Sequence, residues 1–172
     1  IVEVTTYRTE SGYDDHRRPE EVEFVSTLDQ DLARRDFTVN ALAMDSTGKV
    51  TDRVGGVADL EGRLLQTVGD PVERFSEDAL RLLRAVRFAV QLDFEIEGQT
   101  WKAMRQLAPS LQYISQERIR DELTKMMMTP RAMQGFQLLE ETGLLRYIMP
   151  ELREGIDVGQ NKHHIYDVWE HL

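Results

Sequence analysis

The chain contains no cysteine, which excludes disulfides and thiolate metal sites and suits a reducing compartment. It has no apolar run approaching the roughly 18 residues a membrane span requires, so no membrane partner is expected. Internal repeats and low-complexity linkers are absent as well. Positive charge is scarce: 21 Lys and Arg face 31 Asp and Glu, a formal net charge of −10. That balance argues against a generic polyanion binder, so any nucleic-acid contact must use a local basic surface. The candidates are Arg17, Arg18, Arg34, Arg35 and the arginines between residues 81 and 87. At 172 residues, 41% hydrophobic and 30% charged, the chain can bury a proper core and reads as a soluble intracellular globular protein.

Residues 1–8 alternate as a strand, with Val2 and Val4 on one side and Glu3 on the other. The polar segment from Glu10 to Glu20, which holds Gly12 and Pro19, reads as a loop, and residues 21–26 as a second short strand. Arg34 to Ala43 leads into a helix, while Gly48-Lys49 and Gly55-Gly56 mark turns. From about residue 72 the pattern is helical throughout. One helix is expected from Ser76 to Leu92 with Ser76 as N-cap, and another beginning at Ser115. A third has Thr129 as N-cap, Pro130 at its first position and Gly143 as its stop. The fold class is therefore α+β, a partial α/β head followed by an all-helical remainder. The chain opens without methionine and stops inside a helical pattern, so it reads as an internal fragment, and the lack of a targeting leader carries no weight.

The stretch Glu77-Asp78-Ala79-Leu80-Arg81-Leu82-Leu83-Arg84-Ala85-Val86-Arg87 is the richest in chemistry. At about 100° per residue, Arg81, Arg84 and Arg87 fall within roughly 120° of helix surface, away from Leu83, Val86 and Val90. Three stacked guanidinium groups repel one another, so they need a polyanion or several carboxylates nearby. Asp78 and Arg81, at i and i+3, set an acceptor beside donors. Cytosine and adenine each present an amino donor beside a ring-nitrogen acceptor and fit that template, whereas uracil and guanine invert both groups. A plain i,i+3 salt bridge with solvated arginines is the competing reading.

With that helix go Asp31-Leu32-Ala33-Arg34-Arg35-Asp36-Phe37-Thr38-Val39-Asn40-Ala41-Leu42-Ala43, Ile1-Val2-Glu3-Val4-Thr5-Thr6-Tyr7-Arg8, Asp14-Asp15-His16-Arg17-Arg18-Pro19 and Ile114-Ser115-Gln116-Glu117-Arg118-Ile119. Together, in this order and spacing, they resemble the class II tRNA nucleotidyltransferases, the bacterial CCA-adding enzymes and their poly(A) polymerase relatives. The resemblance runs from residue 1 to about residue 150. A glycine-rich nucleotide-binding turn followed by a strand carrying an Asp-x-Asp metal pair opens that family, and it does not occur here.

The resemblance implies a cytoplasmic enzyme that adds C and A from CTP and ATP to tRNA 3′ ends without a template, using two Mg2+ ions. It makes Glu3 a third carboxylate near the metal pair, with an outward-facing edge-strand residue as the alternative. It assigns Arg35 to the triphosphate, Arg84 and Arg87 to phosphate or sugar, and Asp78 with Arg81 to the base. Asp36 is expected to hold an arginine or cap a helix, Asn40 to serve packing or backbone hydrogen bonds, and Glu77 to orient an arginine. The Gly12–Pro19 segment resembles the loop that helps CCA-adding members switch from C to A, with a charged, solvated loop that has no catalytic part as the alternative. Adjacent in a loop, Asp14 and Asp15 diverge and make a poor metal pair. The tail, with His164, Asp167 and His171, looks like the opening of an HD domain, in which only His171 matches the first HD histidine, and structural or solvated histidines are the favoured reading over a metal site. The implied domains are a partial head over 1–68, a neck over 69–128, a body over 129–155 and the start of an HD domain over 156–172. Lacking the metal pair, the chain alone is expected to be inactive. The competing functions are a poly(A) polymerase, an HD-type metal phosphohydrolase and a non-catalytic RNA-binding module. Neither the oligomeric state nor the choice among CCA, CC, A-only and poly(A) addition follows from these residues.

Overall fold

The computed structural model describes residues 6–14, 18–24 and 27–155, so the expectations for Glu3, Arg17 and His171 lie outside the described residues. The segment read as a loop is a ribbon. β1 (Arg8–Asp14) and β2 (Arg18–Phe24) pair antiparallel, with Arg8 opposite Phe24 and Asp14 opposite Arg18. Gly12 and Pro19 do not break it, since among the described residues the two-stranded ribbon leaves one edge of each strand outside the ladder, where both are tolerated.

α1 (Leu28–Ala33) does not lead on into a helix reaching Ala43. The carboxylate of Asp36 accepts the Phe37 N–H at 2.9 Å, taking a donor that a continuing helix would use. Phe37 bridges Thr67, Thr38–Asn40 make one 3-10 turn, and β3 (Leu42–Met44) pairs with β4 (Val50–Asp52) around Gly48 at φ 85°. After α2 (Gly56–Gly62), β5 (Leu64–Leu65) leads toward α3 (Pro71–Glu77) and α4 (Leu80–Leu92). β6 (Glu95–Ile96) then pairs parallel with β5, and α5 (Gly98–Leu107), α6 (Gln116–Met127), α7 (Ala132–Glu141), α8 (Leu145–Ile148) and α9 (Pro150–Arg153) complete the helical part.

The helix expected over 76–92 is two helices. Asp70, not Ser76, is the cap: it accepts from Val72 and Glu73 N–H at 2.8 and 3.0 Å, with Pro71 at the first position. Asp78 occupies the break, extended at φ −146° and ψ 106°, and its carboxylate accepts the Leu80 N–H at 3.1 Å. The same local competition that makes Asp a poor mid-helix residue makes it a good opener for α4. Likewise Thr129 closes α6 through the Met126 carbonyl at 2.7 Å instead of capping α7, while Gly143 stops α7 at φ 77° as expected.

α4 runs through the core. Leu82, Ala85, Val86 and Val90 are fully buried, in one cluster with Phe37, Leu65, Phe75, Met104, Leu139 and Leu144. Each large side chain buried this way contributes about 1.5–3 kcal/mol. α6 and α7 approach closely because Gly135 carries no side chain: a Cβ there would lie 2.5 Å from Met126 Sδ. No helix among the described residues is long and apolar enough to cross a membrane.

Candidate functional site

Each arginine of α4 meets a carboxylate from a different element. Arg81 pairs with Glu77 at the end of α3 and also donates to the carbonyls of Arg74 at 2.9 Å and Arg34 at 3.4 Å. Arg84 sends Nε and Nη2 to Asp36 Oδ2, both at 2.7 Å. Arg87 reaches Glu122 on α6 at 2.6 Å and Gln91 at 2.9 Å, with its guanidinium 4.0 Å from the centre of the Phe88 ring. Protein carboxylates therefore relieve the repulsion along the helix.

Asp31 performs the same service one element earlier. This buried side chain accepts from Arg34 Nη2 at 2.7 Å through one oxygen and from Arg35 Nη2 at 2.9 Å through the other. Arg35 is further tied to the Asn40 carbonyl at 3.2 Å, and the Asn40 amide donates to Asp36 at 3.3 Å. Arg74 fastens this loop to α3: it donates to the carbonyls of Ala33, Arg34 and Val68 and pairs with Glu77 at 2.8 Å.

Five arginines converge on a single cleft of about 530 Å3: Arg34, Arg35, Arg81, Arg84 and Arg118. Asp36 and Asp78 are its lining carboxylates, with Phe88 as an aromatic wall. This is the local basic surface that a chain of net charge −10 needs for a polyanion. Asp78 and Arg81 both line it, but their side chains are not partners. Asp78 pairs with Arg118 of α6 at 2.7 Å, and Arg81 with Glu77. The plain i,i+3 salt bridge is thus not formed, and neither group of the acceptor–donor pair is consumed by the other.

Of the residues singled out in the sequence, Arg35, Asp78, Arg81 and Arg84 meet in this cleft. Arg87 does not line it: only 8% exposed, it is bound within the α4–α6 interface. Burial works to raise the Glu122 carboxyl there, but the hydrogen bonds and charge of Arg87 and Lys125 outweigh it and hold it below the usual carboxylate range. Glu77 orients arginines and Asp36 holds one, as expected. Arg118 had no assigned role, although a signal existed. On α6, Arg118 and Glu122 share an arc of about 100° with buried Ile119 and Met126, an unusual place for two charges unless each has a partner.

The described residues do not fit a two-ion metal centre. They contain no cluster of three His, Cys, Asp or Glu side chains able to hold a metal. The one Asp-x-Asp in the chain, Asp29-Gln30-Asp31, lies on α1, where the two side chains diverge. Asp29 is exposed and pairs with Arg53, whereas Asp31 is buried under Arg34 and Arg35.

Two family models match the chain: "Poly A polymerase head domain" over residues 1–66, and "Probable RNA and SrmB- binding site of polymerase A" over residues 93–156. A CCA-adding enzyme of Lactobacillus helveticus is 53% identical over 142 residues, covering 83% of this chain and 36% of the relative. One from Enterococcus faecalis is 51% identical over 152 residues, covering 88% and 37%. Among solved structures, the Bacillus stearothermophilus CCA-adding enzyme in complex with CTP aligns with a TM-score of 0.79 at 41% identity, covering 89% of this chain and 37% of that one. The Thermotoga maritima CCA-adding enzyme complexed with tRNA aligns with a TM-score of 0.67 at 28% identity, covering 73% and 32%. The chain spans a little over a third of the length of the curated relatives. Fold and cleft define the α+β class, a nucleotidyltransferase head running into helices. The chain belongs to the family of class II tRNA nucleotidyltransferases, which comprises CCA-adding enzymes and poly(A) polymerases.

Proposed function

We propose that this chain supplies the nucleotide-selecting part of a cytoplasmic CCA-adding enzyme, which extends tRNA 3′ ends with C and A from CTP and ATP. The observation that carries the reading is the cleft itself, where Asp78 and Arg81 face the same space as four further arginines. Its volume of about 530 Å3 suits a nucleotide. Arg35 and Arg84 take the triphosphate with their planar forks, and Asp78 accepts the amino hydrogen of cytosine or adenine while Arg81 donates to the adjacent ring nitrogen. Uracil and guanine set a carbonyl against Asp78 and an N–H against Arg81, and are rejected. Arg87 serves the site indirectly, by locking α4 to α6.

In this reading residues 1–68 belong to the head, 69–128 to the neck and 129–155 to the body. In the whole enzyme the primer 3′ hydroxyl attacks the α-phosphate and pyrophosphate leaves. Divalent ions, Mg2+ in this proposal, would supply charge neutralisation for that reaction when bound, and none of the described residues of this chain would hold them. The residues of this chain bind, orient and select the nucleotide. The similar structures bound to CTP and to tRNA support the choice of partners. The names of the relatives favour CCA addition over poly(A) addition, and nothing in the described residues favours a phosphohydrolase. Calorimetric titration of the chain with CTP, ATP, UTP and GTP tests the proposal. Tighter binding of CTP and ATP supports it. Equal affinity for CTP and UTP would mark a phosphate or RNA binder that does not read bases.

A further inference from the structure

Asp78 reads a base only if its carboxylate plane is fixed. The torsion that turns an Asp carboxylate is soft and broad, so the backbone alone does not fix it. Here each oxygen has its own anchor: Oδ1 accepts the Leu80 N–H at 3.1 Å, and Oδ2 accepts from Arg118 Nη2 at 2.7 Å. The two anchors come from different parts of the fold. Leu80 opens α4 directly after the break, while Arg118 reaches across from α6, inside the segment that matches the RNA-binding model. α6 is itself pinned. One turn further along, Glu122 holds Arg87 of α4 at 2.6 Å, so two ion pairs of opposite polarity set α6 in register against the site helix.

Resting on the base-reading role of Asp78 proposed above, we infer that Arg118 is a specificity-determining positioning residue. Rejection of uracil is a repulsion between the O4 carbonyl and an oxygen of Asp78, and a repulsion discriminates only if the repelling group cannot turn aside. Held at both oxygens, the carboxylate stays in place. Held at Leu80 alone, it rotates away from O4 and tolerates the wrong base. Acceptance of cytosine suffers less, because the amino hydrogen of a bound C draws the carboxylate back. Arg118 thus contributes to selectivity more than to affinity, which separates it from an arginine that grips phosphate. Locking a recognition rotamer through a neighbouring hydrogen bond has this consequence in general.

The test is steady-state addition by a full-length protein carrying this sequence, on a tRNA lacking its terminal CCA, with CTP and UTP as competing substrates. R118Q should lower the ratio of kcat/KM for CTP over UTP by about tenfold, the worth of one charge-assisted hydrogen bond. R118K keeps the cation but not the planar fork, and should give a ratio between wild type and R118Q. If R118Q does not fold, R118K decides: a ratio below wild type supports the inference, and an unchanged ratio overturns it. R118Q that slows CTP, ATP and UTP by the same factor also overturns it, since a lost phosphate contact or a loosened fold acts on all nucleotides alike. D78A in the same assay distinguishes the two layers. If D78A collapses the ratio and R118Q leaves it intact, the positioning role is wrong and the base reader stands. If D78A leaves the ratio intact, the base-reading role itself falls.

Discussion

Glu77 is where the phosphate-side loop and the base-side helix are tied together, and removing its charge should loosen both. Its Oε2 accepts from Arg74 at 2.8 Å and from Arg81. Arg81 and Arg74 side chains are only 10% and 15% exposed, so neither cation can turn to water for a replacement partner. Glu77→Gln keeps the shape and one acceptor oxygen, and exchanges two charge-assisted bonds for neutral ones. A charged bond contributes about 1.5–3 kcal/mol and a neutral one about 0.5–1.5, so the loss is about 1 kcal/mol per bond and about 2 kcal/mol in all. The full penalty of about 3–5 kcal/mol for breaking a buried pair is not reached, because Glu77 is 27% exposed and Arg81 keeps two backbone carbonyls. For a chain of this size that corresponds to a Tm lowered by about 4–8 °C. Urea denaturation followed by far-UV circular dichroism measures it, and the difference should survive a rise in NaCl from about 0.05 to about 0.5 M, since buried pairs are screened little. A loss below about 0.5 kcal/mol, or one that vanishes in salt, would refute the reasoning.

Arg35→Ala and Arg84→Ala should weaken CTP and ATP about equally, by a factor of about 10 to 150 for a lost charge-assisted contact. Because Asp31 and Asp36 already take part of each fork, the lower end is expected. A change in preference between bases, measured by nucleotide titration, would sink the phosphate assignment. Glu122→Gln should destabilise the fold by about 3 kcal/mol near neutral pH, since it leaves Arg87 buried beside a neutral group. The folded Glu122 carboxyl lies below its usual range, so its contribution is fully present above the unfolded value of about 4.3 and fades as pH falls through the lower folded one. Urea titrations at a series of pH values should therefore show the gap between wild type and variant narrowing below about pH 4. A gap constant with pH would contradict the assignment.

The helical part was legible because α4 and its neighbours bury apolar stripes with a 3.6-residue period, and Gly143 supplies a left-handed stop. The arginine cleft was half legible. Spacing showed that Arg81, Arg84 and Arg87 share a face, but not that Asp36, 48 residues away, reaches Arg84, or that Glu122 draws Arg87 out of the site. Long-range partners are set by packing, which a local pattern does not encode. The breaks were missed for a different reason. At Asp78 a short side chain captures the Leu80 N–H and breaks a helix that the apolar periodicity would continue. At Asp36, beyond the end of α1, one captures the Phe37 N–H and keeps the chain from re-entering a helix. Both aspartates line the cleft, so the residues that violate the helical pattern are those that shape the site. The β1–β2 ribbon was not legible because Gly12 and Pro19 read locally as loop residues, and a local pattern does not show that the strand pairing accommodates them.

That Asp78 reads the base is the central claim, and Asp78→Ala in a full-length protein carrying this sequence tests it most directly. The measurement is kcat/KM for CTP and for UTP on a tRNA lacking its CCA end. Loss of one good base contact should cost CTP about 1–3 kcal/mol, roughly 5- to 150-fold. Against UTP the same change removes an unfavourable contact, so the CTP-to-UTP ratio should collapse, with a residual preference for C from Arg81. An unchanged ratio with activity merely lowered would mean that Asp78 only anchors Arg118 and that the base is read elsewhere.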